Sequence, residues 1–81
     1  MKDILETIIL HLVDNKEAVD ITEVANPENE KEVTFEVKVA KNDMGRIIGK
    51  QGKVAKSIRT VMKSVAAKDR KRINVEFVDV D

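Results

Sequence analysis

Met44-Gly45-Arg46-Ile47-Ile48-Gly49-Lys50-Gln51-Gly52-Lys53-Val54-Ala55-Lys56-Ser57-Ile58 is the stretch on which the reading of this 81-residue chain depends. Gly49 and Gly52 bracket Lys50 and Gln51. An apolar pair, Ile47 and Ile48, precedes them, and an amphipathic helical pattern follows. The order predicts a short helix, a tight GXXG loop and a second helix. Glycines without a Cβ let a polyanion backbone come close to main-chain N–H groups. The helix that follows turns its positive N-terminal end toward that anion. GXXG alone is a weak signal, because a helix–turn–helix corner also uses glycines for backbone freedom. The flanking Ile-Ile, the loop lysine, and Lys53, Lys56 and Ile58 after the loop make it specific.

Outward from the loop, the second motif helix is expected from about Lys53 to Ala67. Val54, Ile58, Val61, Met62 and Val65 share one face at helical spacing, with Lys56 and Lys63 opposite and Arg59 and Lys53 on the flanks. Met62 in that stripe reads as core filling. The first motif helix is expected to be capped by Asn42 or Asp43. Before it, Val33, Phe35, Val37 and Val39 alternate with Thr34, Glu36 and Lys38, a half-buried strand over residues 32–39. Residues 18–25 are a less regular strand, and the broken alternation between Ile21 and Val24 suggests a bulge or a strand end. Asn26-Pro27-Glu28-Asn29 is a turn signal, so these two strands should pair antiparallel. A last strand over residues 73–78 puts Ile73, Val75 and Phe77 on one face.

The N-terminus reads as a helix over residues 2–13. Ile4, Leu5, Ile8, Ile9 and Leu12 form one stripe widened by Val13, and Asp3 and Glu6 suit the first turn. Leu10 falls among Asp3, Glu6 and Asp14, as a weak candidate for a partner contact. His11, the lone histidine, lies at the stripe's edge with no Cys or second His beside it, and reads as a solvated boundary residue.

Composition bounds the rest. One small domain over residues 1–81 is expected, burying roughly 60% of its unfolded surface. The chain has no cysteine, so neither a disulfide framework nor a thiolate zinc site is available to it. Apolar runs are too short to span a membrane, and the charged N-terminus does not resemble a signal peptide, so a cytoplasmic location is expected. The formal net charge is zero, yet it is sharply divided. Residues 1–40 hold four basic and ten acidic side chains, net −6. Residues 41–72 hold eleven against two, net +9. Residues 73–81 hold three acids and no base, net −3. A charge run such as Lys68–Arg72 ordinarily marks a solvated helix face. Here the basic third coincides with the loop, as expected of a nucleic-acid-binding surface.

The loop and its flanks resemble the core motif of KH domains, whose GXXG loop clamps the backbone of about four nucleotides. The order helix, strand, strand, helix, GXXG, helix, strand resembles the type II KH topology over essentially the whole chain. The implied fold is α+β in the order α-β-β-α-α-β, a three-stranded sheet covered on one face by three helices. Asp43 to Lys53, with Ile58-Arg59-Thr60-Val61, resembles more closely the bacterial KhpA family of small KH proteins. Membership would imply RNA binding, RNA-chaperone activity, homodimerisation or pairing with the larger RNA-binding protein KhpB, and a role in cell shape and cell-wall biogenesis. One departure is Ala55, where KH domains often hold isoleucine, which puts an inherited base preference in doubt.

The candidate RNA-binding residues are therefore Arg46, Ile47, Ile48, Gly49, Lys50, Gln51, Gly52, Lys53, Ala55, Lys56, Ile58 and Arg59. The N–H groups of residues 50–53 would hold phosphates, Lys50 and Lys53 would add charge, and Ile47, Ile48, Ala55 and Ile58 would shape a base groove. No aromatic lies near the loop. Phe35 and Phe77 sit in apolar strand faces and read as core, so base stacking on rings is absent and binding should be weak and salt-sensitive. No cofactor, metal or catalytic constellation is expected: there is no HExxH, no P-loop lysine–serine pair and no cysteine nucleophile. The alternatives are a protein-interaction or dimerisation module with a degenerate loop, and a single-stranded DNA binder, since a backbone clamp does not test the 2′-hydroxyl.

Overall fold

The N-terminal helix α1 spans Lys2–Leu12 because Leu5 and Ile9, one turn apart, can both reach the interior, where they are fully buried. A 3-10 turn at Lys16–Ala18 leads into strand β1, Asp20–Asn26. Strand β2 covers Asn29–Lys38, a helical run α2 covers Lys41–Lys68, and strand β3 covers Arg72–Phe77. The computed structural model describes the backbone of residues 1–78 and, apart from Lys50 and Gln51, their side chains.

The sheet order is β1-β2-β3, with β1 antiparallel and β3 parallel to the central β2. A parallel neighbour requires a crossover, and α2 supplies it. Along β2 the expected alternation holds: Val33, Phe35 and Val37 are buried, and Val39 just beyond the strand continues the pattern. Ile73 and Val75 of β3 and Ile21 of β1 complete the buried face. The opposite face is wet, with Thr22, Val24, Asn74 and Glu76 exposed on the two outer strands. The helices therefore cover one face.

Gly52 divides α2. Its φ of +69° belongs to left-handed backbone, which a right-handed helix cannot contain. A straight 28-residue helix would measure about 42 Å, yet the longest extent of the molecule is 34 Å. The run is thus two limbs meeting at the GXXG loop, and with α1 they make the three helices of the type II KH order. The limb after Gly52 contributes Ala55, Ile58, Met62 and Ala66 to the core, and the limb before it contributes Met44 and Ile47.

Several expectations need correction. Neither the bulge nor the strand end anticipated between Ile21 and Val24 is there; the β1–β2 register runs unbroken from Asp20 to Ala25 and shifts at Asn26. Val24 breaks the sequence alternation because it lies on the wet face, where an isolated valine is tolerated. Ile4 and Leu12, assigned to the buried stripe of α1, are 44% and 40% exposed, because the core takes only a narrow strip of this helix. Leu10 is half-buried. Phe77 is only partly buried, while Phe35 is fully so. Neither Asn42 nor Asp43 caps α2: Ala40 holds that position and no side chain bonds there.

Candidate nucleic-acid interface

Left-handed backbone at Gly52 separates the two helical limbs, so the N-terminal end of the second limb faces the loop. Gly49 and Gly52 are half-buried, and among the described residues no atom beyond the adjoining chain lies within 4 Å of where a Cβ would sit on either. The loop therefore presents its backbone to open space. Lys50 and Gln51 occupy its tip, but their side chains lie outside the described residues.

The remaining candidate residues fall into three groups. Lys53 and Lys56 are exposed on successive turns beside the loop. Arg46 and Arg59 are exposed but engaged. The Arg46 guanidinium donates to the Asp14 carboxylate at 2.6 Å. The Arg59 Nε donates to the Val75 carbonyl oxygen at 3.1 Å, and its guanidinium sits 5.6 Å from the centre of the Phe77 ring. Ile47, Ala55 and Ile58 are buried, whereas Ile48 is 46% exposed. A depression of about 370 Å³ adjoins the loop, lined by Leu12, Gly45, Arg46, Ile47, Gly49 and Val54. A second, of about 460 Å³, shares Leu12 and Val54 and continues between α1 and the second limb past Ile8 and Val61.

Asp43 does something its sequence position did not announce. Its carboxylate is buried and accepts the Asp14 N–H at 3.0 Å on Oδ1 and the Asn15 N–H at 3.1 Å on Oδ2. These two hydrogen bonds hold its pKa below the ordinary 3.8, the Asp14 N–H contributing most; burial opposes them, and Arg46 and Lys16 reinforce them. The Asp14 carboxylate in turn raises the Arg46 pKa. Asp43 thus ties the loop after α1 to the first motif limb and sets Asp14 beside Arg46. In the sequence it stood out as a cap candidate and as an acid in a basic stretch, neither of which points to Asp14.

A sequence model of the KhpA/KhpB KH domain matches residues 2–77. The chain belongs to this family. The RNA-binding protein KhpA of Clostridium acetobutylicum is 49% identical over 78 residues, covering 96% of this chain and 100% of that protein. The RNA-binding protein KhpA of Listeria monocytogenes is 40% identical over 79 residues, covering 98% and 100%. Among solved structures, Era in complex with MgGDPNP and nucleotides 1506–1542 of 16S ribosomal RNA matches with a TM-score of 0.59 at 18% identity. That match covers 98% of this chain and 30% of Era. Aquifex aeolicus Era bound to GDP and AlF4− gives 0.60 at 20% identity, covering 95% and 29%. At such identity the likeness to Era establishes the fold, which confirms the type II KH order. Among the described residues no helix is long and apolar enough to cross a membrane.

Proposed function

We propose that this chain binds single-stranded RNA through a backbone clamp at Gly49–Gly52, as a single KH domain over residues 1–81. The observation that carries the reading is the left-handed Gly52 with open space over Gly49 and Gly52, set in the most basic third of the chain. A phosphate at the loop would meet the N–H groups that open the second limb, with Lys53 and Lys56 adjacent. The relatives named RNA-binding protein KhpA support the choice of RNA. In this reading Ile48, 46% exposed, offers apolar surface to a base, and the buried Ile47, Ala55 and Ile58 shape the groove behind it. With no aromatic ring at the loop, binding is broad in sequence and governed by salt. Such binding suits an RNA chaperone or post-transcriptional regulator in the cytoplasm, acting as a homodimer or with a KhpB-type partner in cell-shape and cell-wall control.

The test replaces Lys50 and Gln51 together by aspartate. Two carboxylates at the loop tip invert the field a phosphate must enter. RNA binding should be lost at every salt concentration, while stability should change by no more than about 0.5 kcal/mol. A double variant that melts like the parent and binds a single-stranded oligonucleotide with unchanged affinity would refute the clamp. Repeating the titration with the DNA oligonucleotide of the same sequence tests the 2′-hydroxyl.

A further inference from the structure

The end of α2 carries a second concentration of positive charge that the loop does not use. Asp69 N–H donates to the Ala66 carbonyl at 3.0 Å, Arg70 N–H to Ala67 at 3.0 Å and Lys71 N–H to Ala66 at 2.9 Å. Arg70 itself has φ +58°. These bonds form a Schellman closure, in which the left-handed position is ordinarily glycine. Beside it lies a depression of about 410 Å³ lined by Lys63 of α2, Lys71 of the turn, and Arg72 and Asn74 of β3. Glu32 is the acid in its wall, and the Glu32 carboxylate already accepts Asn26 Nδ2–H at 3.1 Å. Asp69 is the other acid of the turn. Among the described residues neither reaches Lys63, Lys71 or Arg72 within 4 Å.

We propose that Lys63, Lys71 and Arg72, with Arg70 beside them, form a second phosphate-binding patch, which holds RNA that continues beyond the four nucleotides at the loop. The inference rests on the clamp reading above and extends it. Lys56 and Lys63, seven residues apart, share a helix face and are separated by about 10 Å along the axis. They carry positive potential from the loop toward the patch. The end of α2 lies about 24 Å from Gly52, at 1.5 Å per residue. Cations also offset the negative end of a helix, but that field fades within the last turn. It accounts for Lys68 and Lys71, not for Lys63 inside the helix or Arg72 in β3. Nor does it explain an arginine where glycine would relieve the backbone.

The experiment compares 4- and 12-nucleotide oligouridylates, by NMR titration and fluorescence anisotropy, on the wild-type chain and on Lys71→Gln/Arg72→Gln. The 12-mer should bind the variant about tenfold more weakly at 0.1 M salt, with a log–log salt slope smaller by about 1.4 for two lost phosphate contacts. The 4-mer should bind both alike. A 12-mer affinity unchanged by this variant, yet abolished by Lys50→Asp/Gln51→Asp, overturns the patch and leaves the clamp standing. Equal weakening of both lengths also overturns it, since the patch would then act as a general field. If neither length binds the wild-type chain, the clamp reading fails and the patch with it. Arg70→Gly separates charge from structure: Tm should hold or rise while 12-mer affinity falls. A lower Tm with unchanged 12-mer affinity overturns the role given to Arg70.

Discussion

Asp43 shows how one side chain can matter for a site it does not touch. It sits in the first turn of α2, where a carboxylate suits the helix dipole, yet its oxygens are spent on the Asp14 and Asn15 amides. Its pKa is depressed in the folded chain, so its stabilisation is fully present above the ordinary value of 3.8. That stabilisation is lost as pH falls through the lower folded value. Asp43→Asn replaces one acceptor oxygen by an NH2 that faces an N–H donor. The variant should melt several degrees lower at pH 7. Below pH 4 its loss of stability on acidification should be shallower than the parent's. Thermal melts from pH 7 to pH 2.5 check both effects. Parallel melting curves for the two proteins across that range would show that the carboxylate is not the linked group.

At the scale of the element, Gly52 decides whether α2 is one helix or two. Among the described residues a Cβ there would meet no atom beyond the adjoining chain within 4 Å, so crowding is not the obstacle. The obstacle is conformational, because an L-residue at φ +69° costs roughly 1–2 kcal/mol. Gly52→Ala should therefore lower Tm by about 4–8 °C per kcal/mol and reduce RNA affinity by drawing the junction toward continuous helix. Gly49 has no positive φ, so Gly49→Ala should leave the melt nearly unchanged. Melts and titrations on the pair check the asymmetry. The same element explains why the sequence pattern separated two motif helices: the apolar period restarts after the loop, although the backbone is helical on both sides.

For the whole molecule, the core takes Leu5, Ile9, Phe35, Met62 and their neighbours but leaves a trough between α1 and the second limb of α2. Val61 is 47% exposed beside it, with Ile4 and Leu12 also open on α1. Val61 is therefore not core, and a charge there leaves the interior intact. If self-association or a KhpB-type contact uses this trough, Val61→Lys should give a folded chain with an unaltered circular dichroism spectrum and melt. Light scattering should then report a monomer where the parent is a dimer. A variant that remains dimeric would place the contact elsewhere.

The local signals were strong enough to determine much of this protein. Alternation in Val33–Val39, the Asn26–Asn29 turn and the helical period after Gly52 are properties of neighbours in sequence, and they led to the α-β-β-α-α-β order. The loop glycines and the basic block from Lys41 to Arg72 likewise located the candidate site. What only the tertiary structure decided depends on which elements meet. Periodicity gives an apolar stripe's direction but not how much of it a neighbour covers, so Ile4, Leu12 and Val61 were left exposed. Spacing cannot show that Ile47, Ala55 and Ile58 are consumed by the core while Ile48 is not. A hydrogen bond across 29 residues, such as Asp43 to the Asp14 amide, has no local period at all. It exists because the fold brings the end of α1 to the first turn of α2.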